Sequence, residues 1–188
     1  MAALKPLDFH IHLSQKNEPL DAPPGVRFYA DALDRLREHR SRRKDLPNEF
    51  WRDEINGARY CAIAEKNGQI AGVLWIYPYP AKRPFLVLAP GDSEISAAYV
   101  LPEFRGCSLY RPLGFFLRRW WLDSHGGRIF AVAASNSPIT LNILPRNGYR
   151  HVATLRRNSL FGPRFHTAQV LPRHDLSQTA LRTADSPL

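Results

Sequence analysis

Between Asp92 and Tyr110 the chain reads D-S-E-I-S-A-A-Y-V-L-P-E-F-R-G-C-S-L-Y, strand-forming residues that break at Pro102 and pass through Arg105-Gly106 into an amphipathic segment. A strand that ends at the mouth of a helix offers unpaired backbone N–H groups and the positive end of a helix dipole, and Arg105 adds a cation; all three favour phosphate oxygens. The predicted ligand is a pyrophosphate-bearing cofactor. Glu94 supplies a carboxylate on the same strand. With period-two alternation Glu94, Ser96, Ala98 and Val100 share one face, and at ~3.3 Å per residue the carboxylate lies about 20 Å at most from the strand end. That reach suits a general base acting through water, against the plainer role of a surface carboxylate paired with arginine. Metal chemistry has little support. His10 and His12 share a strand face without a third ligand nearby, and the spacing of Cys61 and Cys107 matches no zinc motif, so both cysteines are expected as free thiols.

The elements that must position these groups follow from hydrophobic period and turn residues. Leu7 to Leu13 alternates as a half-buried strand and ends in the proline-rich stretch Glu18 to Gly25. Phe28, Ala32, Leu33 and Leu36 fall on one helical face, predicting a helix over Phe28 to Arg43, and a shorter one after Pro47 carries Phe50, Trp51 and Ile55. Arg59 to Ala64 and Ile70 to Tyr77 flank Lys66-Asn67-Gly68 as a hairpin. Pro78 to Gly91 holds four prolines and reads as a loop, with an extended stretch at Phe85 to Leu88. Trp75-Ile76-Tyr77 beside it belongs to the sheet or lines an acceptor pocket. Leu109, Leu113, Phe116, Leu117 and Trp120 predict a helix over Leu109 to Asp123 that stops near Gly126-Gly127. Arg128 to Ala134 is a buried strand, Ser137 to Asn147 a helix opened by Pro138, and Arg150 to Arg157 with Arg164 to Leu171 a closing strand pair around Phe161-Gly162-Pro163.

At 188 residues the chain suits a single domain, expected over residues 1–171, with a polar, mobile tail over 172–188. Hydrophobic residues at 44% and charged residues at 23% are ordinary globular usage, and no apolar run is long enough to span a bilayer. No secretory signal pattern opens the chain, so a cytoplasmic location is expected. The formal charge of +9, from 26 basic and 17 acidic residues, attracts polyanions without choosing among nucleic acid, acidic lipid and a nucleotide cofactor. Arg150, Arg156, Arg157 and Arg164 form a solvated face or a surface for an acidic acceptor or RNA.

The order of elements, and above all Y-V-L-P-E-F-R-G over Tyr99 to Gly106, resembles the GNAT superfamily of acyl-CoA N-acyltransferases, whose signature is V-x-P-x-(Y/F)-R-G. Asn136 followed by Gly148-Tyr149 is similar to the family's second signature, an Asn before a helix that ends in Gly-(Phe/Tyr). The resemblance covers roughly Arg59 to Leu171. It implies an α/β (α+β) fold, a mixed central sheet of about seven strands flanked by about four helices. It also implies that Ala98, Tyr99 and Val100 hold thioester and pantetheine, that Arg105, Gly106, Cys107, Ser108, Leu109, Tyr110 and Arg111 wrap the pyrophosphate, and that Asn136 bonds the pantetheine arm. The pattern (Q/R)-x-x-G-x-(G/A), started at Arg105, puts Ser108 and Tyr110 where glycines usually stand; the Ser108 hydroxyl is expected to cap the following helix. The tyrosine that often protonates the leaving thiolate is Leu144 here, which leaves Tyr149, Tyr110, Cys107 or water for that step. Glu94 matches the place where several histone-type members carry their base.

The function expected is direct transfer of an acetyl or other acyl group from acyl-CoA to an amine, without a metal. The protein is expected as a monomer or homodimer. Two alternatives stay open at this point: a non-catalytic basic module for RNA or an acidic partner, and an acetyltransferase acting on aminoacyl-tRNA.

Overall fold

In a computed structural model the described residues are 7–15, 20–81, 86–157 and 164–170. The predicted turn at 161–163 and the tail at 172–188 lie outside them. Strand β1 (Leu7–Ser14) is followed by β2 (Val26–Ala30), α1 (Leu33–Arg42), a short 3-10 turn at Asn48–Trp51 and α2 (Arg52–Asn56). The hairpin β3 (Tyr60–Lys66) and β4 (Gln69–Pro78) leads through β5 (Leu86–Val87) to β6 (Asp92–Val100) and α3 (Tyr110–His125). β7 (Arg128–Ala134), α4 (Pro138–Arg146), β8 (Tyr149–Arg157), β9 (Phe165–His166) and α5 (Thr167–Val170) complete the described chain.

One seven-stranded mixed sheet runs in the order β2-β3-β4-β6-β7-β1-β8, and β5 pairs with β9 in a small parallel sheet. The architecture is the mixed α/β one that the sequence predicts. The β3–β4 turn uses Asn67 at φ 52° and Gly68 at φ 77°, the two left-handed positions a tight hairpin requires.

Two expectations are corrected. The segment from Phe28 is the edge strand β2, paired with β3 from Val26↔Lys66 to Ala30↔Ala62, and helix begins only at Leu33. Phe28 sits at a helical spacing from Ala32, yet it is recruited by the exposed edge of the hairpin, since tertiary pairing overrides a weak local period. Likewise the strand expected over Arg164 to Leu171 is two residues long and turns into α5. The place beside β8 is filled instead by β1, which lies antiparallel between β7 and β8.

Both faces of the sheet are covered. Ala62, Leu74, Ile76, Ile95 and Ile129 pack with Leu113, Leu117 and Trp121 of α3. Ile63, Val73, Trp75 and Tyr77 pack on the other face with Leu36 of α1 and Phe50. Trp75 and Tyr77 are thus core residues rather than an exposed platform. At the far end, Ile11, Leu13 and Phe130 join Leu86, Leu88 and Phe165.

Candidate functional site

β6 and β7 are parallel neighbours only from Asp92↔Arg128 to Ile95↔Ala131. Beyond Ile95 the strands part, while the other edge of β6 stays paired with β4 up to Gly72↔Val100. The cause lies in β6. Trp75 stands opposite Ser96 and Val73 opposite Tyr99, so Ala97 and Ala98 together face Leu74. Ala97 carries this bulge at φ 53°, a left-handed conformation that is costly for a residue with a Cβ. A bulge bends its strand and increases twist, which explains why the end of β6 leaves β7. Gly72 accommodates the bend: a Cβ there would stand 2.9 Å from the Tyr99 carbonyl oxygen.

The bulge also corrects the predicted alternation. Ile95, Ala98 and Val100 pack on the α3 face, whereas Ala97 and Tyr99 pack on the other. Glu94, directly opposite Tyr77, lies on that second face and does not share one with Ala98 and Val100.

The parted strands enclose a cleft of about 400 Å³. Ile95 and Ala98 of β6 line it on one side and Ala131 and Val132 of β7 on the other, with Thr140 and Leu144 of α4 above them. Tyr110, Gly114 and Arg118 contribute one stripe of α3 at i, i+4 and i+8, ~12 Å long at 1.5 Å per residue. A Cβ on Gly114 would meet nothing within 4 Å, so this glycine leaves open space in the wall. A second hollow of about 650 Å³ lies at the mouth, lined by Val100, Arg105, Gly106, Ser108, Leu109, Arg111 and Arg146. Tyr110, Ile143 and Asn147 line both, so the two hollows adjoin.

At the mouth, Gly106 (φ 81°) and Ser108 (φ 54°) both take left-handed backbone as the loop folds into α3. Ser108 therefore occupies a conformation suited to glycine, and it does not cap: no side chain bonds the N-terminus of α3. The first N–H to return into α3 is that of Leu113, to the Leu109 carbonyl at 3.1 Å, and Pro112 has none to offer. Such a helix start presents its leading N–H groups outward. Arg105, Arg111 and Arg146 surround it, all exposed. Arg105 donates Nη2 to the Tyr99 hydroxyl at 3.2 Å and Nε to the Val100 carbonyl at 3.4 Å, which draws its guanidinium back along the strand end. Cys107 lines neither hollow; its Sγ accepts from Lys66 Nζ at 3.0 Å.

Inside the cleft, Tyr149 at the start of β8 is buried and its phenol is pushed up to about 12, chiefly by burial, so it holds its proton. Tyr110 is raised as well, again by burial first. Glu94 is 2% exposed between Tyr77 and Phe130 on the neighbouring strands. Asn136 stands exposed in the turn after β7 and is not among the residues that line the cleft. Thr140 and buried Asn147 line it instead.

Gly114, Arg118, Arg146 and Asn147 escape the sequence-based site. A glycine inside a helix whose neighbours are apolar was the one available signal, because it costs about 1 kcal/mol relative to alanine and so suggests a reason. Among the described residues no cluster of His, Cys, Asp or Glu could hold a metal, and no helix is long and apolar enough to cross a membrane.

A family model described as "Acetyltransferase (GNAT) family" matches residues 26–138, from β2 to the start of α4. Solved structures agree in fold. An acetyltransferase of the GNAT family from Novosphingobium aromaticivorans aligns with a TM-score of 0.54 at 15% identity over 81% of this chain and 63% of that one. A GCN5-related N-acetyltransferase from Sphaerobacter thermophilus gives 0.55 at 14%, over 79% and 49%. A tandem GNAT protein from the clavulanic acid biosynthesis pathway gives 0.53 at 14%, over 80% and 53%. This chain thus spans about half to two thirds of the length of these neighbours. Among curated proteins nothing matches.

Proposed function

Because the chain belongs to the GNAT acetyltransferase family, we propose that it transfers an acyl group, acetyl in the simplest case, from acyl-CoA directly to an amine. The observation that carries this is the parting of β6 from β7 beside the uncapped start of α3. A slot lined by apolar side chains with a few polar groups among them suits a pantetheine arm, and a helix mouth ringed by three arginines suits the diphosphate to which that arm is attached.

In this proposal the bulge at Ala97-Ala98 frees main-chain donors from the β7 side, where they polarise the thioester carbonyl and stabilise the oxyanion that develops there. The amine nitrogen attacks the carbonyl carbon, a C–N bond forms, the C–S bond breaks, and the thiolate takes up a proton. Glu94, on the sheet face away from α3, accepts the ammonium proton through water. Tyr149, protonated and lining the cleft, is the candidate donor to the thiolate in place of the absent tyrosine at Leu144.

Calorimetry with acetyl-CoA, followed by release of free thiol across a panel of amines, tests the proposal. Saturable binding and amine-dependent thiol release are expected. Glu94→Gln should lower turnover by about a hundredfold with binding retained, in the range general bases contribute. An unchanged rate and pH profile would remove Glu94 from the mechanism, and absence of acyl-CoA binding would remove the transferase.

A further inference from the structure

Arg118 lies at the inner end of the α3 stripe that walls the cleft, two turns beyond Tyr110. It is 3% exposed. Its guanidinium carbon lies 4.4 Å from the ring centre of Phe115 and 4.6 Å from that of Tyr149. One edge is used as well: Nη1 donates to the Asn147 carbonyl. The other terminal nitrogen, Nη2, is buried and makes no hydrogen bond. Among the described residues no carboxylate forms an ion pair with Arg118, although the two other buried arginines at well-packed places, Arg40 and Arg128, each hold one. A guanidinium cannot shed its charge, and a buried cation left without an anion is costly.

The position of this cation indicates its partner. Ile95 and Ala131, the last paired residues of β6 and β7, form the apex of the cleft, and Arg118 lines the same cleft two turns along α3 from Tyr110 at the mouth. In the acyl-CoA complex proposed above, a thioester held at Ala97-Ala98 would direct its acyl chain toward that apex. We infer that Arg118 is a specificity residue for an acyl group that itself ends in a carboxylate, as in a malonyl or succinyl thioester, with the carboxylate taking the open edge of the guanidinium. The inference rests on the acyl-CoA proposal and deepens it. The transfer step is unchanged: C–N forms, C–S breaks, the thiolate is protonated, and the distal carboxylate takes no part in bonding changes. A planar guanidinium matches a carboxylate edge to edge, and such charge-assisted bonds are about twice as strong as neutral ones.

The test compares succinyl-CoA with butyryl-CoA, which has a similar chain but a methyl in place of the carboxylate, by calorimetry on the wild-type protein. The expected result is at least about tenfold tighter binding of succinyl-CoA. Arg118→Met should erase that difference while CoA alone still binds; since this residue also supports Asn147, the wild-type comparison stands without the variant if the variant fails to fold. Equal affinities overturn the inference and leave the acyl-CoA proposal intact. Failure of both thioesters and of CoA to bind overturns the two together. Free succinate binding to the CoA-saturated protein, with no preference between the thioesters, would assign the carboxylate to the acceptor and overturn its place on the acyl chain.

Discussion

Two buried arginines stand at opposite ends of the β6–β7 pair. Arg128, where the strands are closed, holds Asp92 with two bonds of 2.8 Å each, and Thr167 donates to the same carboxylate, which ties α5 to the base of the sheet. Arg118, where the strands have parted, has the rings of Phe115 and Tyr149 against it and donates Nη1 to a carbonyl, while its buried Nη2 makes no hydrogen bond. The closed end satisfies its charge from within the chain and serves stability. The parted end leaves its charge unmet and is suited to a ligand. His12 in β1 resembles the second case: it is 3% exposed and both ring nitrogens lack a hydrogen bond.

The largest effect separates the two arginines. Asp92→Ala should destabilise by about 3–5 kcal/mol in a denaturant titration, because it strands a buried guanidinium. Arg118→Met should cost less than that, because the Asn147 carbonyl loses a donor but the charge removed has no carboxylate partner among the described residues. If the two variants came out alike, the contrast between the ends would be lost.

The second effect concerns pH. Burial first, then the neighbouring charges of His151 and His10, lowers the His12 pKa from 6.5 to about 4. Between those values the unfolded chain takes up a proton that the folded protein refuses. Stability is therefore intact above about pH 6.5 and declines as pH falls toward about 4, on the order of 2–3 kcal/mol for this group. His12→Leu should flatten that decline in thermal melts run from pH 7 to pH 4; an equal slope in both proteins would mean that His12 is not the origin.

Gly114→Leu sharpens the contrast from the other side. Filling the cleft wall should weaken acetyl-CoA binding by at least about tenfold, while removal of a helical glycine leaves stability unchanged or higher by about 0.5–1 kcal/mol. A variant that loses stability and binding together would show that the space belongs to packing. The smallest effect belongs to the mouth. Arg105→Ala and Arg146→Ala should each weaken binding about threefold, less at high salt, because exposed cations act through a screened field. Salt-independent losses would point to contacts tighter than the free protein displays.

Local rules made much of this legible. The β3–β4 hairpin follows from Asn67-Gly68, β7 from an unbroken apolar run, and α3 from its stripe of Leu113, Leu117 and Trp121. The same rules fail where partners come from afar. Phe28 carries a helical period and still joins a sheet, because the hairpin edge offers more than a helical turn does. Nothing in Asp92–Val100 reveals the bulge at Ala97, since alanine is not the residue a left-handed position calls for, and so Glu94 was expected on the wrong face relative to Ala98.

By itself, the sequence determined the family, through the Tyr99 to Gly106 stretch, and the helix mouth, because a turn containing Arg105-Gly106 ahead of an amphipathic run is a local property of adjacent residues. Only the tertiary structure decided that β1 enters between β7 and β8, that β6 bends away from β7, and that Arg118 stands buried in the resulting cleft with no carboxylate partner among the described residues. The physical reason is that burial and charge compensation depend on what the rest of the chain brings to a residue, and the spacing of its neighbours along the chain does not encode them.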